Sequence, residues 1–415
     1  MITLAVVGAG LRGQGYARHA LESGRARVVA VAEPDPGRRE AMAAEHGVAP
    51  ENVFADWTEL LAGGRRADAV IIATQDRMHV GPAVRAAELG YHILLEKPMA
   101  PAEEEAALIT EAAERHGVIL AVCHVMRYSP YTRVLKDLVS KGRVGEIMNI
   151  QHLEQVGWWH QAHSFVRGNW RSEADSAPML LAKACHDLDW IVHVKGSLPA
   201  RVSSFGNLVH FRPEHRPPGA ADRCLDCPVE PSCPYSATRL YLGCLGDPEK
   251  EFWPLSAVTA DHTEAGVLTA LREGPYGRCV YACDNDVVDT QVVTLEFADG
   301  TSATCTVTAF AALEHRKTRV FGTHGSIEGD GVVLRVHDFV TDTVEVIDTG
   351  AGADASAATG HGGGDRSLMD AFVSAVAYGD PAHVLTDAAG SLATHRVVWA
   401  AEHARRTGSV VSLAP

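Results

Sequence analysis

The chain has 415 residues, 46% of them hydrophobic, which is enough for two ordinary domains, each with its own core. A formal charge of −15 argues against an extended polyanion such as nucleic acid as a partner. No apolar stretch approaches the ~20 residues a membrane helix needs, and the apolar start lacks a basic leader and runs straight into glycines, so it reads as the first strand of a cytoplasmic protein.

That run, Ile2 to Val7, ends in Gly8-Ala9-Gly10-Leu11-Arg12-Gly13 and is followed by a helix-compatible stretch. Strand, Gly-x-Gly-x-x-Gly turn and helix are the opening of a dinucleotide-binding unit. Gly8 would make the tight turn, Gly10 admit a pyrophosphate to the backbone and Gly13 let helix pack on strand. Leu11 and Arg12 begin the helix whose N–H groups face the phosphates. A second apolar run, Val28 to Ala32, ends in Glu33, where an acidic side chain accepts from both ribose hydroxyls and repels a 2′-phosphate. NAD is therefore expected rather than NADP, with Arg38 and Arg39 as the counter-indication.

Further strands follow at Asp68–Thr74, Tyr91–Leu95 and Val118–Cys123, separated by helical stretches, which predicts a parallel α/β domain over residues 1–123. Thr74, Gln75, His79 and Glu96 fall at strand carboxyl ends, where doubly wound sheets bind ligands, and are expected around the nicotinamide or ribose. Lys97 stands beside them. An ammonium there can stabilise a developing alkoxide; the competing reading is an ion pair with Glu96.

The elements GAGLRG, AEPDP, ATQDRMH, GYHILLEKPMA, VCHVMRYSP and KGRVGEI, in this order, resemble the glucose-fructose oxidoreductase / inositol dehydrogenase / MocA (Gfo/Idh/MocA) family. The resemblance implies a catalytic Lys97 facing the nicotinamide. It also implies a C-terminal α+β domain, here 124–415, whose large open, mostly antiparallel sheet serves the substrate and commonly the contact between subunits, so a homodimer or homotetramer is expected.

In that second domain, His124 and Tyr128 are expected to touch substrate. The stretch Trp158 to Arg171 concentrates Trp158, His160, His163, Arg167, Trp170 and Arg171, a composition suited to stacking on a sugar ring and hydrogen-bonding its hydroxyls. A packed loop with Trp and His as anchors is the alternative. Pro178 to Val192 reads as one helix carrying Lys183, His186 and Asp187 on one face, costly to bury and so aimed into a cleft. His186 suits proton transfer. Family dehydrogenases usually carry an Asp four residues before this His; here the position is Ala182, with Lys183 beside it. Arg167, Arg171 and Lys183 hint at an anionic substituent on the substrate.

A Pro-, Gly- and Cys-rich insertion occupies about 212–285. Cys224, Cys227, Cys233 and Cys244 form a compact thiol set that fits structural zinc, with an iron-sulfur cluster or plain thiols as alternatives and Cys279 or Cys283 able to replace Cys244. Val287–Phe297 and Thr301–Phe310 predict a hairpin about Ala298-Asp299-Gly300. The small residues of 350–360 are expected to be mobile, and the following His-Gly-Gly is either a plain flexible joint or, as the resemblance implies, a loop that brings His361 near the pocket.

The function expected from all this is NAD-dependent removal of hydride from a ring hydroxyl of a sugar, sugar acid or glycoside. The second expectation is a glycoside hydrolase that oxidises transiently, eliminates, adds water and returns the hydride, so that NAD is not consumed. A third is a non-catalytic NAD-binding regulator.

Overall fold

The computed structural model describes residues 1–350 and 361–413; the segment expected to be mobile lies almost wholly outside them. The N-terminal part alternates β1 (Ile2–Val7), α1 (Leu11–Glu22), β2 (Ala26–Ala32), α2 (Pro36–His46), β3 (Val53–Phe54), α3 (Trp57–Ala62), β4 (Ala69–Ile72), α4 (Val80–Glu88), β5 (His92–Leu95), α5 (Glu103–Arg115) and β6 (Leu120–Val122). These strands form one parallel sheet in the order β3-β2-β1-β4-β5-β6, as the alternation predicts. Local chemistry sets the helix bounds. In α2 the Asp35 side chain caps Arg38 N, Pro36 opens the first turn, and Gly47 closes the helix at φ 63°.

The chain continues through α6 (Pro130–Ser140), β7 (Ile147–Gln155), a short α7 (Trp158–His160) running into a π-helical stretch at Gln161–Arg167, α8 (Met179–Ala182), α9 (Cys185–Lys195) and β8 (Pro199–Asn207). The insertion holds α10 (Ala237–Leu242), α11 (Pro248–Phe252) and α12 (Glu264–Glu273). Then come β9 (Thr290–Phe297), β10 (Ser302–Thr308), β11 (Lys317–Gly322), β12 (Gly325–Gly329), β13 (Val333–Asp338), β14 (Thr343–Asp348), α13 (Gly364–Tyr378), α14 (Ala388–Thr407) and β15 (Val411–Ser412). The second sheet runs β14-β13-β12-β11-β7-β10-β9-β8-β15, antiparallel except for β7 beside β10. Strand β12 is not foreseen from the sequence; its Gly-Ser-Ile-Glu-Gly is too short and glycine-rich to carry a strand pattern.

The last two helices return to the first sheet. Leu368 and Phe372 of α13 join the core of Leu4, Val6 and Tyr16, and Leu392 of α14 joins that of Val122. Each such burial contributes roughly 1.5–3 kcal/mol. A boundary at residue 123 thus separates the strands but not the cores. Among the described residues no helix is long and apolar enough to cross a membrane.

Candidate active site

The glycine turn has the shape its sequence requires. Gly8 sits at φ +93°, and a Cβ there would lie 2.5 Å from the Ala73 carbonyl oxygen; one on Gly13 would lie 2.0 Å from the Gly8 oxygen. At Gly10, which precedes α1, a Cβ would meet nothing within 4 Å, so the approach to the Leu11 end of the helix is open. At the end of β2, Glu33 is buried, accepting from Ala9 N at 2.7 Å and Asp35 N at 3.0 Å. Its neighbour Arg39 is turned onto the Glu33 and Pro34 carbonyls. These residues fit a dinucleotide: a tight turn, an open helix start and a carboxylate at the end of β2.

Thr74 and Gln75 follow β4 as expected, but several loop residues serve the protein itself. His79 is fully buried, with Nδ1 2.9 Å from the Pro98 carbonyl and Nε2 3.3 Å from that of Thr74, so its ring sits between two loops. Glu96 accepts from Arg12 Nε (2.7 Å), Tyr16 Oη (2.9 Å) and Lys97 N (2.9 Å). Burial would raise its pKa, and Arg12 with Lys97 outweighs that and keeps it ionised. Arg12 also pairs with Asp365 at the start of α13, so its side chain joins the turn to the C-terminal helix.

Lys97, just past β5, donates from Nζ to the Ala182 carbonyl at 2.6 Å. The expected single helix is broken here: α8 ends at Ala182 and α9 starts at Cys185, with Lys183 and Ala184 between. The break separates three residues expected on one face. Lys183 pairs with Glu154 of β7 at 3.2 Å; Asp187 is fully buried against His152 Nε2 (2.8 Å) and Arg316 Nε (3.0 Å); His186 turns toward His124 and His361. Arg316 also meets Glu154 at 2.6 Å. A cleft lined by Lys183, Glu154, Arg316, His315, Met126 and His361 opens over this network.

Histidines line the junction. His124 and His186 have ring centroids 5.8 Å apart, His186 and His361 also 5.8 Å, and His124 and His395 5.2 Å. Burial lowers every one of these pKa values, His124 to about 4 and His395 to about 3. His124 is fully enclosed, with no hydrogen-bond partner on either nitrogen among the described residues and Asp189 4.0 Å from Nε2, so it stands behind His186 and away from the cleft. Tyr128 is corrected likewise: it is buried, bonded to Thr386 Oγ1 (3.0 Å) and Leu385 N (2.8 Å).

These depressed values make stability pH-dependent. An unfolded His titrates near 6.5, and His124 and His193 titrate near 4, His163 and His395 near 3, in the fold. The unfolded chain binds more protons in between, so the stability from burying these rings is complete above about pH 6.5 and is lost as pH falls through about 4. The urea midpoint is expected to drop steeply between pH 7 and pH 5; a flat profile would contradict the burial.

The stretch Trp158–Arg171 anchors the insertion, although Trp158 and Trp170 remain exposed. Trp158 Nε1 donates to Pro234 O at 3.2 Å, His160 meets Trp253 edge-on at 4.7 Å, and His163 bonds Tyr241 Oη at 2.8 Å and stacks on Tyr276 at 4.9 Å. Arg167 is buried on the Arg278 and Tyr235 carbonyls, and Arg171 pairs with Asp284. Trp170 is partly exposed beside Phe165. The partners belong mostly to the insertion, which this stretch fastens to the domain. The hint of an anionic substituent falls with it, because Arg167 and Arg171 are engaged there and Lys183 is matched by Glu154.

The zinc expectation is also corrected. Among the described residues no group of three or more His, Cys, Asp or Glu side chains is placed to hold a metal ion. All nine cysteines are free thiols. Cys244 is in the wrong place: its Sγ donates to the Leu240 carbonyl at 3.2 Å among Tyr241, Leu255 and Leu271. Cys224, Cys227, Cys233 and Cys279 instead line one small cavity with Arg167.

Glu154, Arg316 and Asp365 join the site without being expected from the sequence. The inward alternation of β7 offered a signal for Glu154, and the His-Gly-Gly-Gly-Asp run one for Asp365.

Comparison with known proteins agrees with this geometry. Residues 2–124 match the Gfo/Idh/MocA oxidoreductase family's NAD-binding Rossmann fold, and 136–413 its C-terminal alpha/beta domain. The chain is 28% identical over 207 residues to 2,7-anhydro-N-acetylneuraminate hydratase from Mediterraneibacter gnavus, covering 50% of this chain and 53% of that protein. It spans 53% to 60% of the length of the first curated relatives it matches. The fold is shared with levoglucosan dehydrogenase in complex with NADH and levoglucosan (TM-score 0.72, 17% identity, 100% of both chains). It is shared also with an Agrobacterium radiobacter oxidoreductase in complex with NAD+, L-tartaric acid and magnesium (TM-score 0.72, 16% identity, 99% of this chain and 98% of that one). The chain belongs to the Gfo/Idh/MocA oxidoreductase family.

Proposed function

We propose that this protein is an NAD-dependent oxidoreductase that takes hydride from a ring hydroxyl of a sugar or glycoside. The observation that carries the reading is Lys97 Nζ at 2.6 Å from the Ala182 carbonyl, which joins the strand end of the NAD-binding domain to the segment bearing Lys183 and His186. When bound, NAD supplies the hydride acceptor. Lys97 would stabilise the alkoxide, a histidine of the junction would take its proton, and Lys183 with Glu154 would orient the ring. Lys183 and Arg316 are balanced by Glu154 and Asp187, which favours a neutral sugar over a sugar acid. The relative named as a hydratase, and the gathering of neutral imidazoles, support transient oxidation with hydride return as the second reading.

Glu33 at the ribose position favours NAD over NADP, since its carboxylate repels a 2′-phosphate. Glu33→Ser is expected to weaken NAD binding about tenfold and to narrow the preference, read by titrating both dinucleotides; unchanged NAD affinity would remove Glu33 from the site.

Two further features belong to this reading. The exposed Phe205 and Val292 on neighbouring β8 and β9 support homo-oligomerisation through the open sheet face, and nine free thiols support a reducing, cytoplasmic setting.

A further inference from the structure

We propose that His361 is the catalytic base of this site and that Asp365 is its positioning residue, an assignment that rests on the oxidoreductase reading and names the group that takes the hydroxyl proton.

A general base needs one bare nitrogen toward the substrate and its own proton fixed on the other by an acceptor. The histidines here differ in this respect. His361 Nδ1 lies 2.8 Å from Asp365 Oδ2. The other Asp365 oxygen is held by Arg12, and the carboxylate is buried. Burial alone would raise the Asp365 pKa, but Arg12 and His361 hold it well below the usual carboxylate range. An ionised Asp365 keeps the His361 proton on Nδ1 and leaves Nε2 to accept another. His186 has an enclosed Nδ1 with no hydrogen-bond partner among the described residues, so none of them fixes its tautomer. His124 is enclosed altogether. His152 does have a carboxylate, Asp187, but Thr318 Oγ1 lies 3.2 Å from its other nitrogen.

Backbone and placement agree. His361 lines the cleft beside Lys183 and Arg316. It adopts φ +45°, followed by Gly362 at +62° and Gly363 at +85°. A left-handed conformation is unfavourable for a non-glycine residue, and such strain persists where surrounding structure imposes it. Here Gly364 imposes it: a Cβ would stand 2.5 Å from the Val125 oxygen, so this loop is pressed against the segment after β6.

In the step, the substrate O–H bond breaks and its proton passes to His361 Nε2. The O–H electron pair forms the C=O bond as the C–H pair leaves as hydride to the nicotinamide dinucleotide. The alcohol carbon loses two electrons, the cofactor gains them, and the imidazolium carries the proton opposite Asp365.

The test uses full-length protein in wild-type, His361→Gln, His186→Gln and Asp365→Asn forms. His361→Gln is expected to lower kcat by about 10²-fold or more and to keep NAD affinity, with a smaller loss in His186→Gln. Asp365→Asn should move the acid limb of the kcat profile, set among Asp365, Arg12, Arg316 and His186, to lower pH, because the imidazolium loses its counter-charge. Independently of turnover, ¹⁵N NMR of NAD-loaded protein should show His361 protonated on Nδ1 and bare on Nε2. Wild-type rates in His361→Gln, or a proton on Nε2, overturns the assignment. If wild type transfers hydride from no sugar, the parent reading fails, and the tautomer still decides the dyad.

Discussion

Lys97→Met is expected to lower kcat with the preferred sugar by about 10²–10⁴-fold while leaving NAD affinity nearly unchanged. The side chain lies past the carboxyl end of β5 and is fixed by the Ala182 carbonyl. Adjacent Glu96 does not neutralise it through a side-chain contact, because that carboxylate takes Arg12, Tyr16 and the Lys97 backbone N–H. Among the described residues no carboxylate pairs with Nζ, whose charge rests on the Ala182 carbonyl and would be available to a developing alkoxide. Methionine keeps the length and removes the charge. Steady-state kinetics alongside NAD titration separate the two effects, and a kcat close to wild type would show that Lys97 only links the domains.

The largest expected loss of stability follows Asp187→Ala. Asp187 is fully buried, with His152 and Arg316 on its two sides, and burial, which would raise its pKa, is overcome by Arg316 and His152 so that it remains ionised. Removing one member of a buried ion pair leaves the other charge unmatched, at about 3–5 kcal/mol. The lower end applies here, since Arg316 retains Glu154. Urea unfolding at pH 7.5 measures it; a change below about 1 kcal/mol would mean that water or Glu154 compensates.

What the sequence revealed follows how local each signal is. The glycine turn, Glu33 and the alternation of strands and helices are set within a few residues, and the sheet order agrees with them. The Ala298-Asp299-Gly300 hairpin is local too, and β9 and β10 flank it. The segment Trp158–Arg171 misleads because aromatic, His and Arg side chains suit a sugar or a protein partner equally, and its partners Pro234, Tyr241, Trp253 and Tyr276 lie some 70 to 120 positions later. The break at Lys183 is hidden in an apolar run without Gly or Pro; it is imposed by tertiary contacts, Lys97 on the Ala182 carbonyl and Lys183 on Glu154. Spacing alone favours Cys244 over Cys279, yet the backbone bond from Cys279 N to Asp222 O (2.8 Å) brings the later thiol to the cavity.

The proposed reaction is hydride transfer between a ring hydroxyl and NAD at Lys97. Its most direct test incubates the protein and NAD with C–H-deuterated sugars and aryl glycosides, following reduced nicotinamide, aglycone and the deuterium together. The account predicts deuterium on the nicotinamide, either as accumulating reduced cofactor or, in the second reading, as a trace that exchanges while aglycone is released over many turnovers. Wild-type protein that binds NAD yet moves no deuterium from any sugar would contradict it.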